Sequence, residues 1–231
     1  MKNKFTLLVI TLSLVLMIFS TKIFAKEVEI QLVMGKEIVT RKVDSEISEW
    51  VIFSGAHNPD IVCDIKGLNQ LTNLTSLEIP ILNYKGDFRF LKDCKNLKVL
   101  FLNGGTITSF KFLEELENLE YLELNMYINK DDVGKIYSQE IDFANLNNIK
   151  DIRFSPIVES SNKTSKYDRI PNFVNVQNKP KIFLENNVIK TLTERDIELL
   201  NQYSEVNIYT NTILENSIEI EKIKNLNLNY M

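Results

Sequence analysis

Histidine occurs once in 231 residues, at His57, and cysteine only twice, at Cys63 and Cys94. One histidine cannot build a multi-histidine metal centre, and two cysteines cannot complete the usual four-ligand structural zinc site. Seven glycines are too few to furnish a glycine-rich phosphate loop. Basic side chains (27) are outnumbered by acidic ones (31), a formal net charge of −4 that argues against a basic nucleic-acid-binding surface. What remains is ordinary globular composition, 44% apolar and 25% charged. It excludes a disordered tail, a collagen-like fibre and a disulfide-dense mini-protein. The one excess is asparagine, with 26 residues.

The first 25 residues read as a targeting segment rather than as fold. Lys2 and Lys4 precede an uncharged run that starts at Phe5, and Ala25 closes a short polar stretch. That is the charge, apolar core and small final residue of a secretory signal peptide, expected to be cut after Ala25. The alternative is an uncleaved anchor, but the uncharged run ends at Thr21 and is marginal for spanning a bilayer. Cleavage removes Lys2, Lys4 and Lys22 and no acid, leaving 24 basic and 31 acidic residues, net −7. No second long apolar run follows. The mature chain is therefore expected outside the cytoplasm, secreted, periplasmic or on the cell surface, without stable membrane insertion.

A repeat dominates the rest. Leu68, Leu71, Leu74, Leu77 and Ile79 are spaced three, three, three and two. The pattern recurs as Leu91, Cys94, Leu97, Leu100, Leu102, then as Leu113, Leu116, Leu119, Leu122, Leu124. It returns as Phe143, Leu146, Ile149, Ile152, Phe154, as Ile197, Leu200, Tyr203, Val206, Ile208, and finally as Ile220, Ile223, Leu226, Leu228. Steps of three follow one face of a helical or 3₁₀ segment, and the closing step of two is strand alternation. Weaker copies are Ile47, Trp50, Ile52 and Val176, Ile182, Leu184. The first strand anchors are thus residues 50, 77, 100, 122, 152, 182, 206 and 226. Each unit reads as a short arc, a turn and a strand of three to five residues. Such a unit cannot bury its apolar side alone, so the copies must stack on a shared core.

This pattern resembles the leucine-rich repeat family, L-x-x-L-x-L in units of 20 to 29 residues. The stretch Asn96-Leu97-Lys98-Val99-Leu100-Phe101-Leu102-Asn103 is similar to the 22-residue form of internalin-type bacterial surface proteins. The resemblance covers about residues 47 to 228. It implies an α/β solenoid of about eight units, with a parallel concave sheet and short helical or 3₁₀ convex arcs. The family's buried asparagine, five residues past the anchor, is replaced by Leu82, Gly105 and Tyr127. A continuous asparagine ladder at that position is therefore missing. The two 30-residue units, anchored at 122 and 152, are expected to carry insertions around 126–140 and 156–178.

The flanks read as caps. Residues 26–46 alternate through Val28, Ile30 and Leu32, turn at Met34-Gly35-Lys36 and return, an N-terminal hairpin over the first core layer. The solenoid then occupies 47–231. Thr193 and Asp196 form a capping-box pattern ahead of a helix. The strand around Asn225 to Asn229 has no polar capping unit after Leu228. It is expected to be covered by Ile213 and the short segment 215–222, or to pair as an open edge with a partner strand or in an end-to-end homodimer.

Chemistry-bearing motifs are weak. His57 lies in a loop after the first strand, with no nucleophile elbow beside it. Cys94 takes a leucine slot and is expected to pack there as a small apolar residue, while Cys63 is read as part of the preceding arc. A Cys63–Cys94 disulfide stays open as an alternative. Asn129, Asp131, Gly134 and Glu140 fall at calcium-loop spacings, but Val133 holds a slot that needs an oxygen. Glu114, Glu115, Glu117 and Glu120 read as a solvated arc. No catalytic residue, cofactor or metal is expected.

Function is expected on the concave strand face. Strand alternation turns Phe53, Glu78, Phe101, Asn103, Tyr121, Glu123, Arg153, Phe183 and Tyr209 away from the core. Five aromatics on one sheet, mixed with polar side chains, suit a protein-binding surface. The leading expectation is a secreted, non-enzymatic recognition protein that binds a protein or glycan. The alternative is a scaffold or inhibitor domain acting on a partner enzyme or toxin.

Overall fold

The computed structural model describes residues 26–34, 36–52, 62–79, 85–129, 135, 138–155, 157–159, 172–185, 192–210 and 220–230. The signal segment, Phe53, His57 and most of the calcium-like loop lie outside these residues.

The spacing of three has a direct physical cause. Each apolar slot donates its backbone N–H to the carbonyl of the slot before it. Leu91 donates to Phe88 at 3.0 Å, Cys94 to Leu91 at 2.9 Å and Leu97 to Cys94 at 3.1 Å. The same chain runs from Leu113 to Phe110, from Leu116 to Leu113 and from Leu119 to Leu116, at 3.0 to 3.1 Å. These are i→i+3 bonds, so every third side chain eclipses and points into the core. Short 3₁₀ helices result at Leu68–Gln70, Arg89–Asp93 and Lys111–Glu115.

Each arc turns into a strand. The strands that carry the anchors are β3 (Glu49–Val51), β5 (Ser76–Ile79), β7 (Val99–Ile107), β8 (Tyr121–Asn129), β10 (Asp151–Phe154), β13 (Lys181–Leu184), β14 (Glu205–Thr210) and β15 (Leu226–Tyr230). They pair in parallel in that order. In register, Trp50 faces Leu77, then Leu100, Leu122, Ile152, Ile182, Val206 and Leu226. All eight anchors share one row. The fold is a leucine-rich-repeat-type solenoid, and the two 30-residue units keep their place in it.

The core lies between this sheet and the arcs. Leu77, Leu97, Leu100, Leu119, Leu122, Leu146, Ile152, Leu200, Val206 and Ile208 are fully enclosed. Phenylalanines tie the layers together: Phe110 meets Phe154 edge-on at 5.7 Å, and Phe143 stacks on Phe173 at 4.6 Å. At the C-terminal end the enclosure loosens, with Ile223 buried and Leu226 and Leu228 half-buried.

Three sequence expectations need correction. Strands β7 and β8 are nine residues long, not three to five. Gly104 and Gly105 adopt positive φ (93° and 75°), which bulges β7 and lets a second strip of strands form. In that strip β6 (Lys85–Gly86) pairs with Thr106 and Ile107, and β11 (Ile157–Glu159) pairs with Tyr127 to Asn129. Residues 126–129 are therefore strand, not insertion. A further small pair joins β9 (Ile141–Asp142) to β12 (Phe173–Val174). Lastly, Cys63 belongs to a strand, β4 (Val62–Lys66), not to an arc.

That strand completes the cap. The hairpin forms from β1 (Glu27–Met34) and β2 (Glu37–Asp44), and β4 adds antiparallel to β1, giving the order β2-β1-β4. Downstream, Thr193 caps the helix α1 (Glu194–Leu200). The Asp196 N–H donates to Thr193 Oγ at 3.2 Å, and the Thr193 N–H donates to Asp196 at 2.8 Å, a closed capping box.

Candidate binding face

Strand alternation leaves three rows of side chains on the sheet face turned away from the arcs. The middle row reads Val51, Glu78, Phe101, Glu123, Arg153, Phe183, Asn207 and Asn227 across eight successive strands. Tyr121, Asp151, Lys181 and Glu205 precede this row by two residues. Asn103, Asn125, Ser155, Glu185 and Tyr209 follow it.

Of the expected site residues, the structure places Glu78, Phe101, Asn103, Tyr121, Glu123, Arg153, Phe183 and Tyr209 on this one face. All eight are half-buried, so the described aromatics are wedged among neighbours rather than standing free in solvent. Phe101 and Tyr121 touch across β7 and β8, ring centres 5.2 Å apart. Arg153 lies over the Phe183 ring at 4.8 Å. Its Nε is buried with no hydrogen-bond partner among the described residues.

A polar ladder holds the N-terminal half of the face. Asn103 donates to Glu78 at 3.4 Å, and Asn125 donates to Asn103 at 2.8 Å and to Glu123 at 2.9 Å. The Tyr121 hydroxyl donates to the other Glu123 oxygen at 2.8 Å. Desolvation, and secondarily this bond to a carboxylate, push the Tyr121 hydroxyl up to about 12. The tyrosine is a fixed neutral donor at physiological pH.

The C-terminal half is held by charge. Lys181 and Glu205 pair at 2.9 Å, and Arg153 reaches Glu185 at 3.7 Å. The Lys181 hydrogen bond holds Glu205 below the usual carboxylate range, and the same bond raises Lys181. The sequence reading misses this pair because at the anchors Ile182 and Val206 it takes only the residues that follow. The alternation that placed Tyr121 and Asp151 here also marks Lys181 and Glu205. Asn207 and Asn227 continue the ladder, Asn227 donating to Asn207 at 3.1 Å and to Glu205 at 3.2 Å.

Other candidates fall elsewhere. Cys94 is a free, buried thiol, pushed up to about 12 by burial and then by Asp93. That thiolate is out of reach at physiological pH. Among the described residues no cluster of three His, Cys, Asp or Glu side chains could hold a metal ion. A cavity of about 520 Å³ sits where β4 meets the arc at Arg89–Asp93. Asp64, Asp87 and Asp93 line it opposite Lys66, Arg89 and Lys92, so its charges balance. No helix among the described residues is long and apolar enough to cross a membrane.

No family model and no curated protein sequence matches this chain. Among solved structures it is similar to an internalin (inlF) from Listeria monocytogenes strain 4b F2365, at 18% identity and a TM-score of 0.41. That match covers 82% of this chain and 57% of the internalin chain. The fold assignment rests on the strand register.

Proposed function

We propose that this chain is an exported, non-enzymatic recognition protein whose concave strand face binds a protein partner. One observation carries the reading. Five successive strands present Phe101, Tyr121, Arg153, Phe183 and Tyr209 on one side, each half-buried and braced by a neighbour or by the sheet. Aromatic and arginine side chains held in fixed positions are the anchors protein interfaces favour, because little rotamer entropy is lost when they are covered. The anchors stand on continuous hydrogen-bonded sheet spread over five strands, which suits a broad surface more than a small molecule. Export follows from the reading of residues 1–25 as a signal peptide.

The test is site-specific photo-cross-linking in the organism that makes the protein. A photoreactive side chain at Phe183 or Tyr209 should capture a discrete protein, whereas one at Lys95 on the arc should not. Equal capture from both faces, or capture from the arc alone, defeats the reading. A leader that stays attached to the chain in the exported fraction defeats the cleavage after Ala25.

A further inference from the structure

On the concave face the two halves handle charge differently. Toward the C-terminal strands each carboxylate has a cation at hand: Glu205 has Lys181 and Glu185 has Arg153. Toward the N-terminal strands the pairing differs: Arg153 stands beside Glu123 in register, but its guanidinium turns to Phe183 and Glu185. Among the described residues Glu78 and Glu123 accept hydrogen bonds from neutral groups, the carboxamides of Asn103 and Asn125 and the Tyr121 hydroxyl. No cation among the described residues pairs with either.

These two carboxylates are not a loose acidic cluster. Register places Glu78 directly beside Phe101 and Phe101 directly beside Glu123. With strands about 4.8 Å apart, the two side chains spring from backbone positions roughly 10 Å apart with Phe101 between them. Tyr121 packs against that ring, tilted by 45°. Among the described residues no group of three His, Cys, Asp or Glu side chains makes this a metal site. An aromatic ring with an anion on either side fits an organic cation, which gains from the ring and from both charges.

We propose that the Glu78–Phe101–Glu123 row, with Tyr121, is the seat for an arginine or lysine side chain of the protein partner. The proposal rests on the concave-face reading and names the chemistry of its occupant: the partner presents a cation at this point. The same face shows the arrangement in miniature three strands from Phe101, where Arg153 lies over Phe183 and reaches Glu185. A cation from outside would repeat at Phe101 what Arg153 does at Phe183.

The experiment titrates the full chain with N-acetyl-arginine methylamide and follows the ring carbon–proton resonances of Phe101 and Tyr121. Saturable shifts at these two rings are expected. The double variant Glu78→Gln with Glu123→Gln should weaken binding by about tenfold, and Phe101→Leu by about three- to fivefold, the scale of cation–π and charge-assisted contacts. Glu115→Gln on the arc, whose carboxylate serves Lys95, should leave it unchanged, and circular dichroism should show all variants folded. Equal weakening by Glu115→Gln, no weakening in the double variant, or the same shifts from N-acetyl-glutamate methylamide overturns the seat. A partner captured through Phe183 or Tyr209 whose binding ignores Glu78→Gln with Glu123→Gln also overturns it, and leaves concave recognition standing.

Discussion

Asn118 donates its carboxamide N–H to the backbone carbonyl of Lys95, one repeat earlier, at 2.8 Å. Asn96 does the same to Thr72 at 2.7 Å, and Asn178 to Asn147. In each case the asparagine sits four residues before a strand anchor and reaches a turn carbonyl that no strand pairing uses. The ladder absent from the position five past the anchor exists here instead, on the turn between arc and strand. Part of the asparagine excess has this purpose.

Loss of one rung is a local test of that ladder. Asn118→Ala should lower stability by about 1 kcal/mol, the usual net value of one hydrogen bond to a carbonyl. Asn96→Ala with Asn118→Ala should lower it by about twice that. Urea midpoints with an unchanged slope would read this directly, since the slope reports surface exposed on unfolding and the change is confined to an exposed turn.

Core damage should spread along the array. Leu100 is fully enclosed and shared by the layers on either side. Leu100→Ala should cost about 2–5 kcal/mol. Leu100→Asp, an unpaired charge in that core, should unfold the units around it. Deleting residues 80–102 should by contrast leave a foldable array one unit shorter. Thermal unfolding followed by far-ultraviolet circular dichroism separates the outcomes. A Leu100→Asp protein that melts like its parent would defeat the shared-core account.

Gly67 joins the cap to the first full repeat. Its φ of 93° lies in the left-handed region, and a Cβ there would stand 2.6 Å from the Glu29 carbonyl oxygen. Gly67→Ala combines backbone strain with a clash against fixed backbone, and should cost about 2 kcal/mol or more. Hydrogen exchange should show protection lost first in residues 27–34 and 62–66.

Acid should loosen the turns between repeats 3 and 5. Glu120 lies between Lys98 and Lys150 on neighbouring units. Hydrogen bonds from Lys150 and then Lys98 hold its carboxyl below the usual range. A carboxylate more acidic when folded contributes stability that is present above its unfolded value and lost as pH falls through the folded one. The urea midpoint should therefore fall below about pH 4.5 and Glu120→Gln should flatten that fall. About 0.5 M salt should shrink the difference, because the side chains are exposed to screening.

The strand anchors were legible because their spacing is the bonding pattern itself: three for the i→i+3 arc, two for the strand. Thr193 with Asp196 was legible for the same reason, as a local motif. Cys63 was not, although Ile61, Cys63 and Ile65 alternate, because only pairing with Gln31 to Met34 about thirty residues earlier makes that segment a strand. The long strands β7 and β8 were hidden likewise, since their second halves exist through neighbours at Lys85–Gly86 and Ile157–Glu159. On the binding face the register was readable from Ile152 and Ile182. That Arg153 leans over Phe183 while Glu123 bonds Tyr121 is a matter of side-chain packing, which spacing does not encode.

The third strand of the cap restricts how this array can change in length. Units after Gly67 are self-similar, and copying one inserts another arc and strand between like neighbours. Copying residues 47–75 would also duplicate Val62–Lys66, and the second copy would have no Glu27–Met34 to pair with. It would present a bare strand edge to every other chain nearby. Gain or loss of repeats is thereby confined to the part of the chain that also carries the aromatic anchors, so a change in length is at once a change in what the face can hold.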